Sequence, residues 1–268
     1  MPDVHEVVRL SNWDRPRRGG DLRAESRVGR RGRYRKVTPG RAFTLLDVLV
    51  SIAVIALLIA ILAPTLTKVQ ETSRRVVCAS NLRQAGLALQ MYADDWRGLL
   101  PPSAFLRGGS GDTAEMMTLR LPPEARLVVA RDGWDGLGLL YRAEYLPAAG
   151  VFYCPSHHGD HPFEAYEAQW RGMSGEIVGN YQFRGEDADG RRALYVIHPE
   201  TAITADGMRT QDDYNHDTGI NVLRAGLHVA WLDDSNQVLR GMLASSDDDQ
   251  FDDQSVDDAW DFLDDARR

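Results

Sequence analysis

The chain has 268 residues and a formal net charge of −8. This length accommodates one domain with appended segments, or two small domains. Residues 1–42 hold 12 Lys and Arg against 5 Asp and Glu, whereas the remainder carries 19 against 34. A basic front end on an acidic body argues against nucleic acid as a partner.

The first 42 residues form a basic leader in which apolar residues do not recur at the spacing of a helix or a strand. The stretches RPRRGG and GRRGRYRK combine arginine with glycine, a composition that buries too little apolar surface to fold. We therefore predict that residues 1–42 are disordered. A basic tail that binds RNA is the alternative.

An apolar segment follows the leader. Twenty consecutive residues from Phe43 contain Asp47 as their one charged residue, and a helix of that length spans about 30 Å, the thickness of a bilayer's hydrocarbon core. We predict a transmembrane helix over residues 43–64. Because the arginine-rich flank precedes it, we expect a single pass through the inner (cytoplasmic) membrane, with a cytoplasmic N-terminus and an extracytoplasmic head. The alternative is a secretory signal peptide cut after Ala63, which would leave Pro64 at the new N-terminus.

Asp47 is the unusual residue of this helix. A carboxylate costs about 2.5–3.5 kcal/mol at the centre of a membrane helix and less near an end, so it normally has a partner. The twenty residues after Asp47 contain no Lys, Arg or His. The partner must then come from another chain or from a new charge nearby. Cleavage after Ala42 would create such a charge, the α-amino group of Phe43.

The sequence from Ala42 onward resembles a known processing signal. A small residue, then Phe-Thr-Leu-Leu, an acid and an unbroken apolar helix are similar to the prepilin cleavage signal of type IV pilins and type II secretion pseudopilins. The resemblance implies that a membrane prepilin peptidase cuts between Ala42 and Phe43 and methylates the new amine. It also implies that Asp47 contacts the N-terminal amine of a neighbouring subunit during filament assembly. Pro64 matches the family's proline, which kinks or loosens the helix at the end of its first half.

Two positions depart from the family's preference. Ala42 stands where the family prefers Gly, and Asp47 stands where it prefers Glu. Both keep the chemistry, because alanine is small and aspartate is anionic. The leader is also long for such a signal, and a translation start at Val37 would leave a leader of six residues, VTPGRA.

The helix is predicted to continue to about Tyr92, and Gly98 to terminate it. The segment CASNLRQAGLALQMYADDWRGLLPPS resembles a subgroup of bacterial prepilin-like proteins with a similar Asn-Leu-Arg-Gln helix after the membrane segment. Apolar residues that recur at spacings of three, four or seven define the face expected to pack on the head: Val69, Val76, Leu82, Ala85, Leu89 and Tyr92.

Residues 65–246 are predicted to hold the rest of this helix and a β-rich head. The stretch NVLRAGLHVAWLDDSNQVL predicts short strands joined by turns at Ala225-Gly226 and Asp233–Asn236. We therefore expect an α+β fold of pilin-like architecture, in which a long N-terminal helix packs on a small antiparallel sheet. The matches to the subgroup in this region are His216, Asn221, Val222, Leu223 and His228.

Residues 247–268 are rich in acids, with ten Asp between Asp247 and Asp265. We predict that this segment is an acidic disordered tail.

The two cysteines, Cys78 and Cys154, both follow the membrane segment. The predicted topology places them in a compartment where thiols oxidise. We predict a disulfide that joins the long helix to the head and contributes about 2–4 kcal/mol. Two buried free thiols are the alternative.

An oxygen-rich loop is the first candidate metal site. Calcium prefers such oxygens, although the spacing does not fit an EF-hand, and a solvated acidic loop is the alternative. The candidate ligands are Asp206, Asp212, Asp213, Asn215 and Asp217.

The stretch HHGDH is the second candidate metal site. Zinc or nickel ligands of the right type are present if a distant residue such as His216 completes the set. Adjacent histidines in a glycine-containing loop are more often solvent-exposed, which is the alternative. The candidate ligands in the stretch are His157, His158, Asp160 and His161.

The sequence contains no nucleophile-elbow serine, no HExxH and no glycine-rich phosphate loop after a strand. We therefore expect a substrate of an enzyme rather than an enzyme: a pilin or pseudopilin subunit, stored in the membrane, cleaved by prepilin peptidase and assembled with other subunits. One alternative is an unprocessed, single-pass extracytoplasmic metal-binding protein or enzyme. Another is a minor prepilin-like protein that is cleaved but never polymerises.

Overall fold

The computed structural model describes residues 43–106, 111–123, 132–172, 174–245 and 253–266. Short 3-10 helices lie at Thr113–Met117, Ala149–Phe152, Phe163–Tyr166 and Arg240–Met242. The α-helices are α1 (Leu45–Asp95), α2 (Gly138–Arg142), α3 (Glu167–Trp170) and α4 (Asp253–Asp265), and the strands are β1 (Thr118–Arg120), β2 (Ile177–Val178), β3 (Tyr181–Phe183), β4 (Ala202–Asp206), β5 (Gly219–Arg224) and β6 (Val229–Asp233).

Helix α1 runs for 51 residues without interruption and has Pro64 in its interior. The proline removes one backbone donor, and next to it Thr65 Oγ1 donates to the carbonyl of Leu62 at 2.7 Å. The predicted long helix is therefore confirmed. Pro64 does not end it, and a kink at this position stays a prediction.

The rear half of α1 packs on the head. Its buried side chains follow the spacing of one helix face: Cys78, Asn81, Leu82, Ala85, Gly86, Ala88, Leu89, Tyr92 and Ala93. Gly86 allows a close approach to the sheet, because a Cβ there would lie 2.9 Å from Leu223 Cδ1. The predicted face is wrong at its start, since Val69 and Val76 are 64% and 62% exposed. Burial on this face begins at Cys78 instead.

The head contains two antiparallel sheets. Strands β1 and β2 form one, and the other is a four-stranded sheet in the order β3-β4-β5-β6. In this larger sheet Tyr181 pairs with Asp206 and Val222 pairs with Ala230. Neighbouring residues of a strand face opposite sides, and accordingly Leu223 joins the apolar cluster under α1 while Val222 joins a second cluster. The expected α+β class, with a long N-terminal helix and small antiparallel sheets, is confirmed.

Helix α4 belongs to that second cluster, so the prediction of a disordered tail over residues 247–268 is wrong for residues 253–265. Apolar residues recur here at spacings of three and four within the acidic sequence, and Val256, Ala259, Trp260 and Leu263 are buried. The helix is also tied by polar contacts. Asp264 accepts a hydrogen bond from Arg184 at 2.6 Å. Helix α4 is folded because its apolar residues form one helix face although the segment is rich in acidic residues, and because arginines of the head pair with its carboxylates.

Candidate functional site

The start of α1 is a capping box formed by Thr44 and Asp47. Asp47 Oδ2 accepts hydrogen bonds from the Thr44 backbone N–H at 3.0 Å and from its hydroxyl at 2.9 Å. The backbone N–H of Asp47 in turn donates to Thr44 Oγ1 at 3.2 Å. This reciprocal pattern satisfies backbone donors that the first turn of a helix otherwise leaves unpaired. Asp47 therefore has a role within its own chain, in addition to the intermolecular role expected from the resemblance.

Phe43, the expected first residue after cleavage, precedes this cap directly and is 87% exposed. Ala42, the residue before the expected cleavage site, lies outside the described residues. The order Thr-Leu-Leu-Asp is a local sequence signal for such a capping box, whereas the resemblance to prepilins draws attention to the acid alone.

The front half of α1 is an exposed apolar surface. Its large apolar side chains from Leu45 to Leu62 are between 50% and 85% exposed, and Leu66 is 56% exposed. Within the part of the chain that the structure describes, α1 is the one helix that is long and apolar enough to cross a membrane. A helix that is apolar on all sides is stable only in apolar surroundings such as lipid or other apolar helices.

A disulfide joins Cys78 of α1 to Cys154 of the head, so the predicted bridge is confirmed. It closes a loop with a sequence separation of 76 residues. Cys78 lies in the rear half of α1, after the exposed apolar segment. The bridge therefore joins to the head the part of the helix that packs on it.

A polar group lies beside this disulfide, and all of its members except Glu71 are buried. We call it the His216 cluster: Glu71, Cys154, Asp206, His216 and Asn221. His216 Nδ1 lies 2.5 Å from Glu71 Oε1. His216 Nε2 lies 3.6 Å from Cys154 Sγ and 3.5 Å from Asp206 Oδ2. Only 1% of the His216 side chain is exposed.

Asp206 is held mainly through one of its two oxygens, and Asn215 also lies within reach of its carboxyl group. Its Oδ2 accepts hydrogen bonds from the backbone N–H of Asn221 at 2.6 Å and from Asn221 Nδ2 at 3.1 Å. Its Oδ1 is buried and has no hydrogen-bond partner in the described chain. Burial raises the pKa of Asp206, and the neighbouring His216 and Asn221 act in the opposite direction.

Glu71 connects α1 with two head segments. One carboxylate oxygen lies against His216, and the other accepts a hydrogen bond from Ser156 Oγ at 2.8 Å. The contact lies within the exposed stretch of α1, seven residues before the disulfide. Glu71 and the disulfide thus join the same helix to the same part of the head.

Within the described residues, the five candidate calcium ligands are not found as one group of metal-ligating atoms, and calcium binding stays a prediction. Asp206 faces His216, and Asp213 Oδ2 accepts hydrogen bonds from Arg209 and from Thr210. An arginine on a carboxylate competes with a cation for the same oxygen. Asp212 and Asp217 are exposed, and Asn215 contacts His157.

The histidines of HHGDH likewise do not gather around a common point with His216. His157 Nδ1 lies 2.9 Å from Asn215 Oδ1, and His158 is not among the buried residues. His161 Nδ1 lies 2.6 Å from Tyr166 Oη, while its Nε2 is in contact with Arg209. Burial, followed by the charge of Arg209, lowers the pKa of His161 to about 4.

Sequence reasoning does not identify the His216 cluster as a unit. The resemblance to the prepilin-like subgroup singles out His216 and Asn221, and the oxygen-rich loop assigns Asp206 to calcium. The helical period places Glu71 among the polar positions of α1. The contacts join residues separated by up to 145 positions, so no local spacing indicates them.

A family model matches most of the chain. The family described as "Protein of unknown function (DUF1559)" matches residues 67–256. The matched region contains the packed half of α1, the disulfide and the whole His216 cluster, and it begins after Asp47. No curated protein and no solved structure matches the chain.

Proposed function

We propose that this chain, which belongs to the DUF1559 family, is a pilin-like subunit. Its precursor is stored in the inner membrane with a cytoplasmic leader and an extracytoplasmic head. Prepilin peptidase cleaves it between Ala42 and Phe43 and methylates the new amine. The mature subunit then assembles with other subunits into a filament, either a type IV pilus or a type II secretion pseudopilus.

The front half of α1 is the observation that carries this proposal. Its apolar side chains are exposed along the helix, and its one charge, Asp47, sits in the first turn. In a plain membrane anchor this carboxylate would serve only as the helix cap with Thr44, and its charge would cost free energy in lipid unless it is paired. A filament of parallel helices supplies both the apolar surroundings and, from the neighbour's N-terminus, the pairing charge.

Asp47 has the capacity for both of its roles. A carboxylate has about four acceptor positions on its two oxygens, and Thr44 engages Oδ2. Acceptor capacity therefore remains for an ammonium group from the next subunit. The cap holds the carboxylate at the helix end before assembly, so less conformational entropy is lost when the intermolecular pair forms.

Two further observations support the proposal. The Cys78–Cys154 disulfide is expected of a head that folds outside the cytoplasm, which agrees with the orientation that the basic leader predicts. The family match includes the segment CASNLRQAGLALQMYADDWRGLLPPS, which resembles a subgroup of prepilin-like proteins. The match reaches from the rear half of α1 into α4, at residues 67–256.

The test is the mass of the N-terminal peptide of the protein isolated from its native membrane. A mature chain that begins at Phe43 and is about 14 Da heavier, from one methyl group, is the expected result. A variant with Ala42→Gly, the residue that the family prefers, should be cleaved at least as completely. A variant with Ala42→Glu should remain uncut, because a large charged residue replaces a small one at the cut.

An uncut native chain would contradict the proposal and favour the membrane-anchored extracytoplasmic protein. A chain that is cut at Phe43 but is absent from purified filaments would instead identify a minor subunit that does not polymerise. The N-terminal mass separates these two outcomes, and filament purification followed by detection of the head separates a cleaved subunit that polymerises from one that does not.

A further inference from the structure

The His216 cluster and the disulfide together hold an arrangement of ligand atoms that the proposed function does not use. Ligand atoms of Cys78, Cys154, Asp206 and His216 all lie within 4.8 Å of one another, and all four residues are buried. Two sulfurs, one imidazole nitrogen and one carboxylate oxygen are a ligand set that Zn²⁺ accepts.

We propose that the dithiol form of this protein binds one divalent metal ion of the zinc class through Cys78, Cys154, Asp206 and His216. The disulfide and the metal are then alternative links at one place in the fold. Metal binding of this kind does not depend on filament assembly or on cleavage at Phe43.

The two forms are related by a balanced reaction. A dithiol reductant transfers two electrons and two protons to the Cys78–Cys154 disulfide, giving two protein thiols and the reductant's own disulfide. Binding of the ion to the two sulfurs then releases two protons, because the thiolate is the ligand. In the opposite direction, a small-molecule disulfide accepts two electrons from the two thiolates and two protons from solvent to become a dithiol, the Cys78–Cys154 disulfide forms, and the metal ion is released.

Reduction must first let the two sulfurs move apart, because sulfurs bound at about 2.3 Å to a tetrahedral ion lie about 3.8 Å apart. The imidazole and the carboxylate are already close to them, since all four ligand atoms lie within 4.8 Å of one another. His216 Nε2 is already 3.6 Å from Cys154 Sγ and 3.5 Å from Asp206 Oδ2. An ion between these atoms would replace these long contacts by coordination bonds.

The surroundings of His216 are those of a metal ligand. Glu71 lies 2.5 Å from Nδ1, so a proton shared on that side leaves Nε2 with its lone pair toward the sulfur and Asp206. A carboxylate on the far nitrogen of a ligating histidine fixes its tautomer and orientation and raises its basicity. Glu71 is therefore a positioning residue.

Asp206 supplies an independent indication. Asn221 holds its Oδ2 through two hydrogen bonds, whereas its buried Oδ1 has no hydrogen-bond partner in the described residues. A buried carboxylate oxygen without a partner is costly. A cation beside this carboxylate would offset that cost, and Asn221 orients Oδ2, the oxygen that lies 3.5 Å from His216 Nε2.

The test uses the full-length protein in detergent, with Co²⁺ as the probe because cobalt bound to thiolates absorbs strongly. A phosphine reduces the disulfide and takes up the oxygen of a water molecule, and both the phosphine and its oxide are removed under anaerobic conditions before titration. We expect one Co²⁺ per chain, thiolate-to-cobalt absorption that is displaced by Zn²⁺, and no such absorption in the oxidised protein.

Variants assign the ligands. His216→Ala should weaken binding at least about tenfold, and Glu71→Gln should weaken Zn²⁺ binding about 10–100-fold without changing the number of thiolates on cobalt. His158→Ala, a histidine of HHGDH outside the His216 cluster, is the matched control and should bind as the unmodified chain does. The proposal is overturned if the reduced unmodified chain shows no thiolate-to-cobalt absorption at equimolar Co²⁺. It is also overturned if Glu71→Gln and His216→Ala both bind as tightly as the control.

Discussion

The two halves of α1 belong to one continuous helix but have opposite surroundings. Large apolar side chains in the front half, from Leu45 to Leu62, are at least 50% exposed, whereas Leu82 and Leu89 in the rear half are fully buried. The front half is apolar on all sides. The rear half has an apolar stripe and places small residues, among them Gly86, where it approaches the sheet.

The difference shows how a helix encodes its partners. A narrow stripe matches a single surface, here the head of the same chain, and leaves the other side polar for water. A helix that is apolar on all sides cannot be covered by a single surface, and it requires lipid or several other helices around it. The change occurs between Pro64 and Cys78, where Leu66, Val69 and Val76 remain exposed although polar residues have already returned.

Removal of the charge from the front half is expected to have the largest effect. Asp47→Ala should leave membrane insertion intact and reduce filament yield at least about tenfold. An unpaired amine in an apolar core costs about 3–5 kcal/mol, and about 1.4 kcal/mol already corresponds to a factor of ten. Filament yield per cell and the amount of membrane-inserted subunit are the two measurements.

Two matched variants separate the capping role of Asp47 from its charge. Asp47→Asn retains a side chain that caps helices but has no charge, and Asp47→Glu keeps the charge. We expect assembly to fail in the first and to persist in the second. Normal filament yield from Asp47→Ala would contradict the assembly role, and normal yield from Asp47→Asn alone would leave only the cap.

A pair of leucines two residues apart tests the rear half. Leu89 is fully buried and Leu87 is 58% exposed, so Leu89→Ala should lower the free energy of unfolding by about 2–5 kcal/mol, while Leu87→Ala should change it by no more than about 0.5 kcal/mol. Denaturant unfolding of the full chain in detergent, followed by tryptophan fluorescence, measures both. Equal effects would show that the rear half is not packed as described.

The disulfide fastens the rear half, and its removal should have a somewhat smaller effect. A double variant, Cys78→Ala with Cys154→Ala, should lose about 2–4 kcal/mol of unfolding free energy. The measurement is made with a chelator present, so that metal binding does not contribute. Unchanged stability would mean that Glu71 and the apolar packing hold α1 to the head without the bridge.

The smallest expected effect concerns Asp112, whose carboxyl group lies beside that of Asp253, the first residue of α4. Burial, followed by the adjacent carboxylate of Asp253, raises the pKa of Asp112 from 3.8 to about 6. The folded chain then binds this proton more tightly than the unfolded chain does. Its contribution to stability is therefore present at low pH and is lost as the pH rises from about 4 to about 6.

Asp112→Asn should remove this pH dependence, and unfolding curves recorded at several pH values across that window measure it. Asp189→Asn is the control, because the Asp189 side chain is 66% exposed. A stability slope that is the same in both variants would show that Asp112 does not titrate in this way.

The long helix, the α+β class and the disulfide could be predicted from the sequence because each depends on a short signal. Helix α1 follows from an apolar run and the helical spacing of apolar residues, and the bridge follows from two cysteines that the predicted topology places in one compartment. The same local signals failed for α4, where acidic composition outweighed the spacing of Val256, Ala259, Trp260 and Leu263. They failed again for Val69 and Val76, since periodicity alone does not say where the head begins.

The apolar front half of α1 and the carboxylate in its first turn can be read directly from the sequence. These features arise from neighbours in the chain and need no other part of the fold. The meeting of Glu71, Asp206 and His216 beside the disulfide, in contrast, is visible only in the folded chain. Those contacts depend on the approach of α1 to the sheet, which is set by packing between residues far apart in sequence.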